Sequence, residues 1–110
     1  MKLMITGSCS ITDFDLEKYI PSDVELIISS GATGIEALAE KYADEHKISK
    51  LILRPNHNKY GKIAELMLTY DMIRISNSIL VIIAENSKDA KRVTEIAEKG
   101  FKPVTIVTVK

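Results

Sequence analysis

Glu25-Leu26-Ile27-Ile28-Ser29-Ser30-Gly31-Ala32-Thr33-Gly34-Ile35-Glu36 is the stretch on which the fold turns. Its first part, 25–29, is a short apolar run that does not alternate, the pattern of a strand buried on both faces. Its last part opens a helix over 34–46, because Ile35, Leu38, Ala39, Tyr42 and Ala43 recur at spacings of three and four. Between them, Gly31 and Gly34 make a tight strand-to-helix connection.

Working outward, the same unit repeats. Apolar runs at Lys2–Thr6, Lys50–Leu53, Ile79–Ile83 and Val104–Val109 read as four further strands. Ile63, Leu66, Met67, Tyr70 and Ile73 predict a helix over 62–75; Ala90, Val93, Ile96 and Ala97 predict another over 88–99. Lys99, Gly100 and Pro103 form a stop signal for the latter. Asp13–Tyr19 reads as a shorter helix, capped by Thr12 or Asp13 and ended before Pro21. Alternating strand and helix specify an α/β protein with a parallel sheet covered on both faces. Right-handed crossovers then favour a three-layer, Rossmann-like, doubly wound five-stranded sheet of order 3-2-1-4-5, one domain over residues 1–110.

Composition narrows the function classes. Fifteen basic residues balance fifteen acidic ones, so no net field draws the chain onto nucleic acid or anionic lipid. At 45% hydrophobic residues and without low-complexity tracts, the chain is not of the disordered class. No run approaches a membrane span, and Met1–Thr6 is too short for an apolar targeting segment, so a cytoplasmic protein without membrane attachment is expected. Cys9 is the single cysteine, and neither His46 nor His57 shares ligand spacing with it, so no metal site is expected.

In such a sheet a ligand sits outside the carboxyl ends of the strands. Three small or polar loops meet there: Thr6-Gly7-Ser8-Cys9-Ser10, Ser29-Ser30-Gly31-Ala32-Thr33-Gly34 and Ala84-Glu85-Asn86-Ser87-Lys88. Glycine lets backbone approach a phosphate, and helix-start amides and the hydroxyls of Ser29, Ser30 and Thr33 supply donors. Neither a Walker loop nor a GxGxxG fingerprint is present. A phosphate or ribose site is therefore expected, holding a nucleotide or nucleotide-derived ligand with no resident cofactor.

Gly7-Ser8 and Ser30-Gly31-Ala32-Thr33-Gly34-Ile35-Glu36 resemble the paired motifs of the SLOG superfamily, which includes the Smf/DprA DNA-processing proteins and the LOG phosphoribohydrolases. The likeness is greatest to its small stand-alone YspA-like members and spans the chain, including Tyr60-Gly61-Lys62, Met72 and Lys102-Pro103-Val104. It implies a Rossmann-like nucleotide-binding domain, with Gly7, Ser8, Cys9, Ser30, Gly31, Ala32, Thr33, Gly34, Glu36, Arg54 and Ser87 at the ligand. Several positions depart from the family's pattern. Cys9 stands where Arg is usual, Ser30 for Gly, Glu36 for Asp, Asn77 for a later Asp, and Ser87-Lys88-Asp89-Ala90 for Ser-x-Gly-Thr. The positions that resemblance assigns to the LOG catalytic Arg and Glu hold Leu68 and Val93, which argues for binding without that hydrolysis. A hydrolase using Cys9, Glu36, Glu85 or Asp89, and an interaction module with an eroded pocket, are the competing readings.

Three further expectations follow from the residues. Glu36, three positions after Thr33, reads as a capping-box carboxylate returning to the Thr33 amide; the SLOG resemblance, by analogy with the family's Asp, implies contact with a ribose hydroxyl as the functional alternative. Lys47, Lys50, Arg54, Lys59 and Lys62 form an acid-free basic run read as a solvated face, from which Arg54 or Lys62 reaches a bound anion. Met67 and Met72, flanking Tyr70, read as core or subunit-interface packing, and the 62–75 helix is the face expected for a homodimer.

Overall fold

The computed structural model describes residues 1–85, 98, 100 and 102–109. Five strands, β1 (Lys2–Gly7), β2 (Leu26–Ser29), β3 (Ser49–Ile52), β4 (Ser78–Ala84) and β5 (Val104–Val109), form one sheet. Every neighbouring pair is parallel and the order is β3-β2-β1-β4-β5, a Rossmann-like α/β arrangement. The helices are α1 (Ile35–Glu45), the one-turn α2 (His57–Tyr60) and α3 (Ala64–Ile75), the last entered through a 3-10 turn at Gly61–Ile63. The segment 88–99, expected as a helix, lies almost wholly outside the described residues, as do Ser87, Asp89 and Val93.

Each central strand feeds two cores, because successive side chains point to opposite faces. Leu3, Ile5, Ile27, Leu80 and Ile82 pack with Ile35, Ala39 and Ala43 of α1. Met4, Ile28, Ile79 and Val81 pack with Leu68, Met72 and Ile73 of α3. The central strands β1, β2 and β4 read as unbroken apolar runs for this reason: both their faces are covered.

Asp13–Tyr19 is not a helix. Only one turn forms, with the Tyr19 and Ile20 amides both donating to the Leu16 carbonyl. The Asp15 carboxylate accepts the Glu17 amide at 3.1 Å, a local side-chain bond that competes with helix. Ile11, Leu16 and Ile20 are buried as anchors of a loop that lies on the α1-side core.

The unforeseen α2 precedes α3. Asn56 caps it, its side chain accepting the Lys59 amide at 3.1 Å, and Gly61 ends it at φ 55°. Both signals stand in Asn56-His57-Asn58-Lys59-Tyr60-Gly61.

Candidate functional site

Glycine sets how closely the loops at the carboxyl edge approach one another. A Cβ on Gly7 would collide with the Ile82 carbonyl, so β1 can lie against β4 at its last residue only without one. Gly34 has φ 75°, and a Cβ there would collide with the Ser8 carbonyl and stand 2.6 Å from the Cys9 Cα. The loop after β1 is thereby laid directly over the start of α1. Ser8 secures it: its amide donates to the Ile82 carbonyl at 3.0 Å, and its hydroxyl accepts the Ala84 amide at 2.9 Å. Its carbonyl accepts the amides of Ile11 and Ile35, each at 3.3 Å. Gly7, Ser8 and Gly34 thus build the frame of the site, and the first amide of α1 is spent on that frame.

The loop after β2 is closed from within. Ser29, fully buried, accepts the Gly31 amide on its hydroxyl at 3.1 Å. Glu36, 4% exposed, takes the Ser30 amide on one carboxylate oxygen at 3.0 Å and the Ser30 hydroxyl on the other at 2.6 Å. This replaces the expected capping box: the carboxylate turns to Ser30 and not to Thr33, and no side chain caps α1. From the first turn of the helix, Glu36 reaches back to the residue that follows the strand. Arg54 follows β3 and lies across Gly31, with one guanidinium nitrogen donating to the Gly31 carbonyl at 3.5 Å.

A cleft of about 370 Å³ opens at this edge, on the α3 side of the sheet. Thr6 and Cys9 from the β1 side, and Ser30, Ala32 and Glu36 from the β2 side, form one wall. Arg54 and Pro55 close the β3 end. The α3 wall is Glu65, Leu68, Thr69 and Met72. Cys9, Ser30, Ala32, Glu36 and Arg54 are therefore brought together around one space, while Gly7, Ser8, Gly31, Thr33 and Gly34 are not among its walls. Leu68, which the SLOG resemblance aligns with a catalytic Arg, is a buried apolar part of the lining. Cys9 is exposed in it, with its thiol free.

Sequence reasoning did not name Thr6, Pro55, Glu65, Thr69 or Met72 as lining residues. Glu65, Thr69 and Met72, at i, i+4 and i+7, share one face of α3 by spacing, but that this face roofs the cleft is set by the docking of α3, with Leu68 and Ile73 seated in the core. Thr6 carried a signal: in β1 it follows Met4 by two, and so faces the α3 side.

The basic run 47–62 is largely solvated, with Lys50 paired to Asp44 at 2.9 Å and Lys59 5.1 Å from the Tyr60 ring centroid. On α3, Met72 is core while Tyr70 is 43% exposed. A second cavity, of about 320 Å³, lies at the amino edge, where α1 ends; Asp15, Glu17, Tyr42 and His46 line it. Burial there, with the Glu17 and Asp15 charges, raises the Tyr42 phenol above its usual value. Among the described residues no helix is long and apolar enough to cross a membrane, and no cluster of three or more His, Cys, Asp or Glu could hold a metal ion.

No family model, no curated protein and no solved structure matches this chain.

Proposed function

We propose that the chain is a binding module for a nucleotide or nucleotide-derived ligand, of the kind the SLOG resemblance implies, seated in the cleft at the carboxyl edge of the sheet. One observation carries the reading: at the position where open α/β sheets take ligands, the glycine loop presents a polar pair, Ser30 and Glu36, held rigid on two hydrogen bonds. Leu68 and Met72 opposite supply an apolar wall for a base, and Arg54 supplies the cation at the rim. Val93, at the position the resemblance assigns to the LOG Glu, offers no carboxylate for an oxocarbenium-like transition state, which favours binding over LOG-type hydrolysis.

A thermal-shift screen with ATP, ADP, AMP, NAD, ADP-ribose and cyclic dinucleotides tests the module. The single thiol locates the binding: a ligand in the cleft slows alkylation of Cys9 several-fold. Stabilisation without protection of Cys9 removes the cleft from consideration, and no stabilisation by any of them removes the nucleotide reading.

A further inference from the structure

We propose that the cleft selects guanine among the bases, with the Glu65 carboxylate of α3 reading the edge on which guanine carries two adjacent donors. This rests on reading the cleft as the site for a nucleotide or nucleotide-derived ligand.

The α3 wall of the cleft is a single helix face. Glu65, Leu68, Thr69 and Met72 stand at i, i+3, i+4 and i+7, and all four line the space. Leu68 and Met72 form its apolar part, the surface against which a planar base packs. Glu65 and Thr69, one turn apart, form its polar part.

Both polar groups meet a ligand as acceptors. The Thr69 hydroxyl donates its only proton to the Glu65 carbonyl at 3.1 Å, which leaves lone pairs for the cleft. An ionised carboxylate has no proton to give. The Glu65 side chain is exposed and, among the described residues, belongs to no ion pair. Arg54, the cation of the lining, donates to the Gly31 carbonyl instead. The α3 wall therefore calls for a base edge made of donors.

The bases differ sharply on that test. Guanine places N1–H and an amino N–H side by side, and two carboxylate oxygens take such a pair as they take the parallel N–H groups of a guanidinium. Adenine and cytosine each set one amino donor beside a ring nitrogen whose lone pair faces the second oxygen. Uracil has one N–H between two carbonyls. Guanine thus makes two charge-assisted bonds where the others make one at most. A base seated on Leu68 and Met72 also displaces water from the carboxylate, so an oxygen left without a donor is a cost and not a neutral omission. Glu65 has a second effect: in the first turn of α3 its charge suits the helix dipole. That effect is common to every ligand and leaves the ratio of their affinities unchanged.

Calorimetry with GMP, IMP, AMP, CMP and UMP tests this, with protection of Cys9 from alkylation showing that each binds in the cleft. GMP should bind at least tenfold more tightly than AMP, and IMP, which lacks only the amino group, about tenfold more weakly than GMP. Among cyclic dinucleotides, those carrying guanine should give the larger thermal shifts. Glu65→Gln, checked for folding by circular dichroism, presents one donor and one acceptor and should lower the GMP-to-AMP affinity ratio by about tenfold. Binding in the cleft without a preference for guanine, or a preference that Glu65→Gln leaves unchanged, overturns the Glu65 reading and leaves the nucleotide module standing. If no compound of this series or of the nucleotide screen protects Cys9, the module fails and the guanine reading with it. Should Glu65→Gln not fold, the comparison of GMP with IMP decides alone.

Discussion

At the residue scale, three glycines with positive φ differ in what surrounds them, and so in what replacing them costs. Gly34→Ala meets both a strained φ of 75° and the backbone of Ser8 and Cys9, while Gly61, at φ 55°, has nothing within 4 Å of a new Cβ. The φ alone costs about 1–3 kcal/mol for a side chain other than glycine. Gly34→Ala should therefore cost distinctly more than Gly61→Ala. Urea midpoints at unchanged m-value measure the difference. Tyr42 makes a second, pH-dependent case. Its phenol is raised above 10.0, first by burial and then by the Glu17 and Asp15 charges. The folded state thus holds this proton more tightly than the unfolded chain does. Its contribution is fully present below the unfolded value and is lost as pH rises through the folded one. In an ultraviolet titration Tyr42 should ionise above the usual tyrosine value, and Glu17→Gln should bring it earlier.

At the element scale, the end of α3 is held by a residue far from it in sequence. The Lys102 ammonium donates to the carbonyls of Ile73, Arg74 and Ser76 at 2.5, 2.7 and 2.5 Å, taking up acceptors that the helix leaves unpaired. It also places a positive charge at the negative end of the helix dipole. Lys102→Met keeps the length of the side chain and removes the donors, and should cost about 1.5–3 kcal/mol in urea denaturation. Amide exchange should show the loosening concentrated in the last turn of α3. This clamp illustrates what a sequence does not declare. The strands were legible because parallel strands bury both faces, and the glycine loops were legible because a reversal of strand into helix needs special backbone. Local pattern reaches no further than that. The 13–19 segment read as helix because Thr12 or Asp13 offers a cap and Pro21 a stop, whereas its buried Leu16 serves as a loop anchor. The Glu36 bond to Ser30 depends on where the loop folds back, and spacing alone favoured Thr33. The α3 wall of the cleft depends on how one helix seats on the sheet, which no window of sequence contains.

At the scale of the whole molecule, the two cores are coupled because β1, β2 and β4 each contribute to both. Loosening one face loosens the strands that serve the other, so a ligand held at the carboxyl edge acts on the entire fold and not on one loop. Linkage sets the size of the effect. A ligand present at 100 times its dissociation constant adds about 2.7 kcal/mol. For a domain of this length that corresponds to a rise on the order of 10 °C in Tm. The rise should grow with the logarithm of free ligand and leave a single transition. Ala32→Phe places a ring in the cleft wall and should abolish the shift while leaving the free protein's Tm within a few degrees. Ile63→Ser alters a residue that is 51% exposed and outside the cleft walls, and should leave the shift intact. A ligand shift that survives Ala32→Phe and disappears with Ile63→Ser would move the binding surface from the sheet edge to the start of α3.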